Sequence, residues 1–322
     1  MDRRAFVRAA ALCAVPAGIL GAQEPAKSAR LGVVSTGGNG RSARFYVAFE
    51  EKLRELGWVD GKNLAIDFAV GESPVELAEV ATRMVKHVDA LLAAGPEAVL
   101  KAASDATRTI PIVMVALNYD PVEKGFAANL ARPGRNITGV SFRNPEVGPK
   151  QLELLREIIP AASRIGVLST AYSTDQVSPI EKEAMRLRLR LENVVLVPPY
   201  DLDKAFAALK SLRVDAALVL GDPITYRERA RIAALALERR LAVGGSLSGV
   251  YAGYLMGFGP DLDAALAVAA EYVNKVLRGA KPADMPIEQP DKFDLVVNLK
   301  TARALSINVP QAVLLRANER IE

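Results

Sequence analysis

Polar groups gather where four predicted strands end: Ser35-Thr36-Gly37-Gly38, Gly95-Pro96-Glu97, Leu117-Asn118-Tyr119-Asp120-Pro121 and Gly221-Asp222-Pro223. Each puts polar groups and free backbone N–H donors where a helix begins, an arrangement that suits capture of a carboxylate or another anion. A ligand ammonium would need an acceptor such as Asp222 or Asp120, with Asp222 the first choice. Asp120-Pro121 and Asp222-Pro223 also read as helix N-caps followed by a first-turn proline, and capping does not exclude ligand contact. The aromatic residues near these loops, Tyr119, Phe142, Tyr172, Tyr251 and Tyr254, could stack on a flat ligand; core or hinge roles are expected for most of them.

Other chemistry lacks its parts. His87, the single histidine, sits beside apolar Val85 and Val88 at a helix-to-strand boundary, which favours a structural role. With one cysteine, Cys13, and no closely spaced carboxylate pair, metal sites and Ser-His-Asp or Cys-His catalysis are incomplete. No catalytic residue, metal or cofactor is expected. The glycine loop Gly37-Gly38-Asn39-Gly40 is not a phosphate loop, because no Gly-Lys-Ser/Thr follows it, and it lacks dinucleotide-fingerprint spacing.

The elements that would position these loops alternate along the chain. Residues 30–35 form a short apolar strand; Phe45, Phe49, Leu53 and Leu56 then recur at helical spacing, and Gly57 ends that helix. Strand 64–70, helix 74–86, strand 90–94, a short helix from Pro96 and strand 112–116 follow. After residues 136–142 the series starts afresh with helix 147–159, strand 165–169, helix 179–191, strand 194–197, helix 202–212, strand 216–220 and helix 224–239. Continuous apolar strands alternating with helices predict parallel sheets covered on both faces. The fold class is therefore α/β, with two Rossmann-like doubly wound lobes and ligand loops at the carboxyl ends of the strands.

Two lobes also suit the length, since single cores stop growing near ~250 residues. The first is expected to hold residues 29–139 with 259–287, the second 140–258 with 288–322, with the Gly139 region as one crossing. Hydrophobic content of 50% with 24% charged residues is globular composition. The formal charge of +4 is partly carried by Arg3, Arg4 and Arg8, and the scattered remainder gives no footprint for nucleic acid. Residues 1–22 read as an export signal: a basic start, an apolar run from Ala9 to Leu20, and cleavage after about Ala22. Arg3-Arg4-Ala5-Phe6-Val7-Arg8 resembles a twin-arginine signal, which would place the mature chain in the periplasm. Leu12 before Cys13 argues against a lipid anchor there.

Several segments together resemble one family. Leu56-Gly57-Trp58-Val59-Asp60-Gly61-Lys62-Asn63-Leu64, Asp120-Pro121-Val122-x-x-Gly125, residues 130–140 (LARPGRNITGV) and residues 150–160 (KQLELLREIIP) are similar to the tryptophan/tyrosine-type substrate-binding proteins of ABC transporters. Residues 253–260 (GYLMGFGP), 276–286 (VLRGAKPADMP) and 293–302 (FDLVVNLKTA) resemble that family's closing motifs. The resemblance implies a type I periplasmic-binding-protein fold: two lobes, three hinge crossings and an interlobe cleft that closes on a small organic ligand, an amino acid or a relative of one. It implies cleft residues Ser35, Thr36, Gly95, Pro96, Asn118, Tyr119, Asp120, Thr138, Asp222 and Tyr254. The implied partners are the ligand and an inner-membrane ABC permease, with the receptor a monomer. Two loops depart from the family pattern. Ser169-Thr170-Ala171-Tyr172-Ser173-Thr174 stands where many relatives have an Asn-Pro-rich loop, and Asn118-Tyr119 replaces a small residue before Asp-Pro. Both fall at ligand loops, so an aromatic amino acid is not carried over as the ligand. A sensing module that feeds a membrane sensor is the alternative on the same fold, and an exported enzyme is a more distant one.

Overall fold

The computed structural model describes residues 28–36, 40–142, 146–289 and 292–322. The predicted export signal and Gly37-Gly38-Asn39 lie outside the described residues. The chain lays down β1 (Ala29–Ser35), α1 (Arg44–Glu55), β2 (Leu64–Val70), α2 (Pro74–Met84), β3 (Ala90–Gly95), α3 (Glu97–Ala106), β4 (Ile112–Leu117) and β5 (Ile137–Phe142). It continues through α4 (Val147–Ile158), β6 (Arg164–Ser169), α5 (Thr174–Arg186), β7 (Arg190–Val195), α6 (Leu202–Ser211), β8 (Ala216–Val219), α7 (Pro223–Glu238), β9 (Ala242–Gly245), α8 (Leu247–Ala252) and β10 (Met256–Gly259). Last come α9 (Leu262–Leu277), β11 (Ile287–Glu288), β12 (Asp294–Asn298), α10 (Leu299–Ala304), α11 (Gln311–Arg316) and β13 (Glu319–Ile321).

These strands make two sheets. The first runs β2-β1-β3-β4-β5-β11 and is parallel throughout. The second runs β7-β6-β8-β9-β10-β12-β13 and is parallel except where β12 meets β10. Both carry the 2-1-3-4-5 order of a doubly wound sheet, with apolar clusters on each face, as buried parallel strands require. The chain passes between sheets three times: after β5, after β10 and after β11. β5 stays in the first sheet to Phe142, so the expected division at 139/140 falls inside a strand. Gly139 serves that strand differently: at φ +131°, an added Cβ would lie 2.2 Å from the Met114 carbonyl oxygen of β4.

After the second crossing, α9 packs against α1 in the first lobe. Trp58 Nε1 donates to Asn274 Oδ1 of α9 at 3.0 Å, and the indole is buried. His87 holds Asp67 of β2 at 2.9 Å, a structural contact at the edge of the first sheet.

One stretch departs from expectation. Helix 179–191 was expected from Pro179, yet α5 starts at Thr174 and contains Pro179, while Arg190 and Leu191 begin β7. Proline inside the helix costs it one amide donor, and the residues before it supply a further turn. β7 is an edge strand with no fully buried residue, so it lacks the continuous apolar run of a central parallel strand.

Candidate functional site

The carboxyl ends of both sets of strands face each other across a cavity of about 160 Å3, a volume suited to one small molecule. The first lobe contributes Ser35 at the end of β1 and Thr36 after it, Gly95 at the end of β3, Asn118 after β4 and Phe142 at the end of β5. The second contributes Tyr172 and Gln176 beyond β6, and Gly221 and Asp222 beyond β8.

The two lobes are closed on each other. Asn118 Nδ2 donates to Gly221 O at 3.0 Å, and Tyr172 Oη donates to Glu72 O at 2.9 Å. The Glu72 carboxylate meets Arg227 at 3.6 Å, and Phe45 of α1 meets Tyr226 of α7 edge-on, with centroids 5.2 Å apart. Asn118 reaches its partner from a left-handed backbone, φ +66°, which a small polar residue tolerates.

Asp222 is the best-built part of the site. Its Oδ1 accepts from the Ile224 and Thr225 amides, both at 2.9 Å, and the Asp222 amide donates in turn to Thr225 Oγ1, completing a capping box. Its Oδ2 accepts from Thr170 Oγ1 and Ser173 Oγ, also at 2.9 Å. Four donors thus occupy the four acceptor positions of a carboxylate. Burial pushes the carboxyl above its ordinary range, and the bonds from Thr225, Thr170, Ser173 and Ile224 pull it part of the way back. The ligand ammonium assigned to Asp222 from sequence therefore finds no vacant acceptor there.

The first-lobe wall is the reverse. Thr36 Oγ1 and Tyr46 Oη are buried and have no hydrogen-bond partner, and both residues line the cavity. Burial raises the Tyr46 hydroxyl well above the usual phenol range; Ser35 lies near enough to ease that shift without completing a hydrogen bond. Tyr46 is wedged by Phe45 and by Phe68 of β2, with centroids at 4.7 and 4.9 Å. The rest of the lining is largely apolar, with Phe258 and Phe293 stacked at 6.0 Å beside the crossings.

Ser35, Thr36, Gly95, Asn118 and Asp222 are thus brought together, while five other expected residues lie elsewhere. Pro96 is the N-cap of α3 and does not line the cavity. Tyr119 is in the first-lobe core, edge-on to Phe126. Asp120 Oδ1 accepts from the Val122 and Glu123 amides, outside the cavity. Thr138 ties β5 to the carbonyls of Met285 and Pro286. Tyr254 is packed in the second-lobe core against Gly245 and Gly249. Among the aromatics, Tyr251 is half exposed and bonded to Glu319. Sequence reasoning missed Tyr46, Tyr226, Gln151, Phe258 and Phe293 as lining residues. The available signal was position: Tyr46 and Tyr226 stand in the first turns of helices that follow cleft-facing strand ends.

Residues 39–321 match a family model described as ABC transporter substrate binding protein. A tyrosine-binding protein of Clostridioides difficile (strain R20291) is 28% identical over 268 residues, covering 80% of this chain and 75% of that protein. The solved ABC domain in complex with L-Trp from Streptococcus pneumonia superposes with a TM-score of 0.80 at 25% identity, covering 92% of this chain and all of that one. A ligand-free, open substrate-binding protein from Clostridium difficile superposes at 0.63 with 23% identity, covering 91% of this chain and all of that one. With the sheet orders above, these likenesses identify the type I periplasmic-binding-protein fold.

Proposed function

The chain belongs to the family of ABC transporter substrate-binding proteins, and from that premise we propose that it is a periplasmic receptor that closes on one ring-bearing small molecule and delivers it to an inner-membrane ABC permease. The observation that carries this reading is the cavity itself: both lobes wall it, cross-cleft bonds shut it, and rings and unpartnered hydroxyls line it. The ligand class is an amino acid or a related organic acid, by analogy with the tyrosine and tryptophan of the relatives. Capture works by population shift, because a ligand touching both walls stabilises only the closed arrangement. Ser35, Thr36, Gly95 and Asn118 meet the polar end of the ligand, and Phe142, Phe258 and Phe293 meet its apolar end. Residues 1–22 direct export by the twin-arginine route, with cleavage after about Ala22. The ligand leaves chemically unchanged.

Thermal unfolding of the mature protein against amino acids, peptides, purines and aromatic acids tests the reading. A ligand at 100 times its dissociation constant adds about 2.7 kcal/mol. Stabilisation by a ring-bearing acid, with the ligand recovered intact, is the expected result. Failure of every ring-bearing acid to stabilise the protein would overturn the ligand class, and turnover would overturn the receptor role.

A further inference from the structure

Each wall of the cleft offers polar atoms, and they differ in what they have left to bond. Among the described residues lining the cavity, Asp222 is the one charged side chain, and Ile224, Thr225, Thr170 and Ser173 already donate to it. Thr170 and Ser173 belong to the loop that departs from the family pattern, so this chain's own sequence fills the carboxylate. The cleft amides are also engaged through their nitrogens: Asn118 and Gln176 donate to Gly221 O, and Gln151 donates to the carbonyls of Gly245 and Phe258.

Thr36 Oγ1 and Tyr46 Oη are the buried hydroxyls of the first-lobe wall without a partner, in residues only 5% and 3% exposed. A buried hydroxyl without a partner is costly, and a ligand that supplies the partner recovers that cost on binding. Thr36 Oγ1 lies 3.3 Å from where a Cβ of Gly95 would stand, directly before α3. Gly95 is the residue of this turn that lines the cavity, two positions before α3. Two unpartnered hydroxyl donors on one wall of the cavity suit the oxygens of a carboxylate.

Resting on the reading of the cleft as the ligand site, we propose that Thr36 and Tyr46 clamp the ligand's carboxylate and that no ammonium is recognised beside it. The cleft is then a receptor for ring-bearing monocarboxylic acids, and an α-amino group adds nothing to binding. Tyr46 is the specificity residue of this arrangement.

Calorimetric titration with three indole probes tests this: L-tryptophan, indole-3-propionate, which lacks the ammonium, and tryptamine, which lacks the carboxylate. The phenol series, L-tyrosine, 3-(4-hydroxyphenyl)propionate and tyramine, serves in parallel. The expected order places each propionate within about threefold of its amino acid or tighter, with the amines at least tenfold weaker. Tyr46→Phe and Thr36→Val should each weaken the propionates at least tenfold, and Thr36→Ser should restore most of the loss. Amino acids binding more than thirtyfold tighter than the propionates, or amines matching them, would overturn the clamp while leaving the receptor reading intact. Equal propionate affinity in Tyr46→Phe, with an unchanged melting temperature, would remove Tyr46 from it. No binding by any of the six probes would overturn the parent reading, and the clamp with it.

Discussion

The second-lobe wall of the cleft is finished before a ligand arrives, while the first-lobe wall is not. Asp222 accepts four bonds, two from the helix it caps and two from the loop after β6, so it fastens α7 and that loop together. Across the cleft, Thr36 and Tyr46 carry buried hydroxyls with no partner. The difference separates two uses of buried polarity in the cleft: the saturated group builds its wall, and on the proposal above the two unsaturated hydroxyls read the ligand.

Substitutions can break that contrast, and the largest effect is expected at Asp222. Asp222→Ala leaves two amides and two hydroxyls without their acceptor. Losing the cap and the two charge-assisted hydroxyl bonds should cost about 3 kcal/mol, a fall of roughly 6–12 °C in melting temperature by calorimetry. A fall below 2 °C would show that the network does not hold the wall. Asp222→Asn retains one acceptor oxygen and can serve either the cap or the loop, so about half of that loss is expected. If the amino group of an amino-acid ligand were held by Asp222, this variant would instead lose affinity with its stability little changed.

Asp215 sharpens the contrast from outside the cleft. It accepts from the Ser163 amide and hydroxyl and from the Arg164 amide, yet it is exposed. Desolvation acts to raise its pKa, but those bonds and the Arg164 charge outweigh it and hold the carboxyl below the usual range. A depressed folded pKa gives stability that is present above the unfolded value of about 3.9 and lost as pH falls through the folded value. Asp215→Asn should therefore cost up to about 1 kcal/mol at pH 7, allowing for solvent screening, and close to nothing at pH 2–3. Denaturant titrations at the two pH values check this, and a cost that persists in acid would rule it out. The smallest effect belongs to the rim. Tyr172→Phe removes the bond to Glu72 O and should weaken ligand binding about two- to threefold through the closing equilibrium, seen as faster release in stopped-flow traces.

The fold was legible because buried parallel strands announce themselves as apolar runs, and most helix faces follow from periodicity. β7 was not, since an edge strand with Arg190, Asn193 and Val195 exposed has no such run. Within the site, chain direction decided which residues could be read. Only the carboxyl ends of strands face the cleft, which admits Phe142 of β5 and excludes Thr138, near the other end of the same strand. Tyr254 likewise precedes β10, whose far end supplies Phe258 and Gly259. At Asn118 the left-handed backbone turns the chain, and the neighbouring Tyr119 is buried in the core of its own lobe. The saturation of Asp222 depends on Thr170 and Ser173, some fifty residues away in sequence, and no local pattern records that convergence.

Trp58, pinned to Asn274 inside the first lobe, has a consequence for anyone who wishes to watch this molecule work. It is the only tryptophan of the chain, and its ring is sealed between elements of one lobe, so its emission is a steady internal standard that closure leaves alone. The only cysteine is Cys13, in the proposed leader, so a protein produced from residue 23 onward would carry no thiol of its own. A single cysteine placed at Glu72 and labelled with an environment-sensitive dye would brighten or dim against that constant indole signal, making the receptor a ratiometric sensor with its reference already built in.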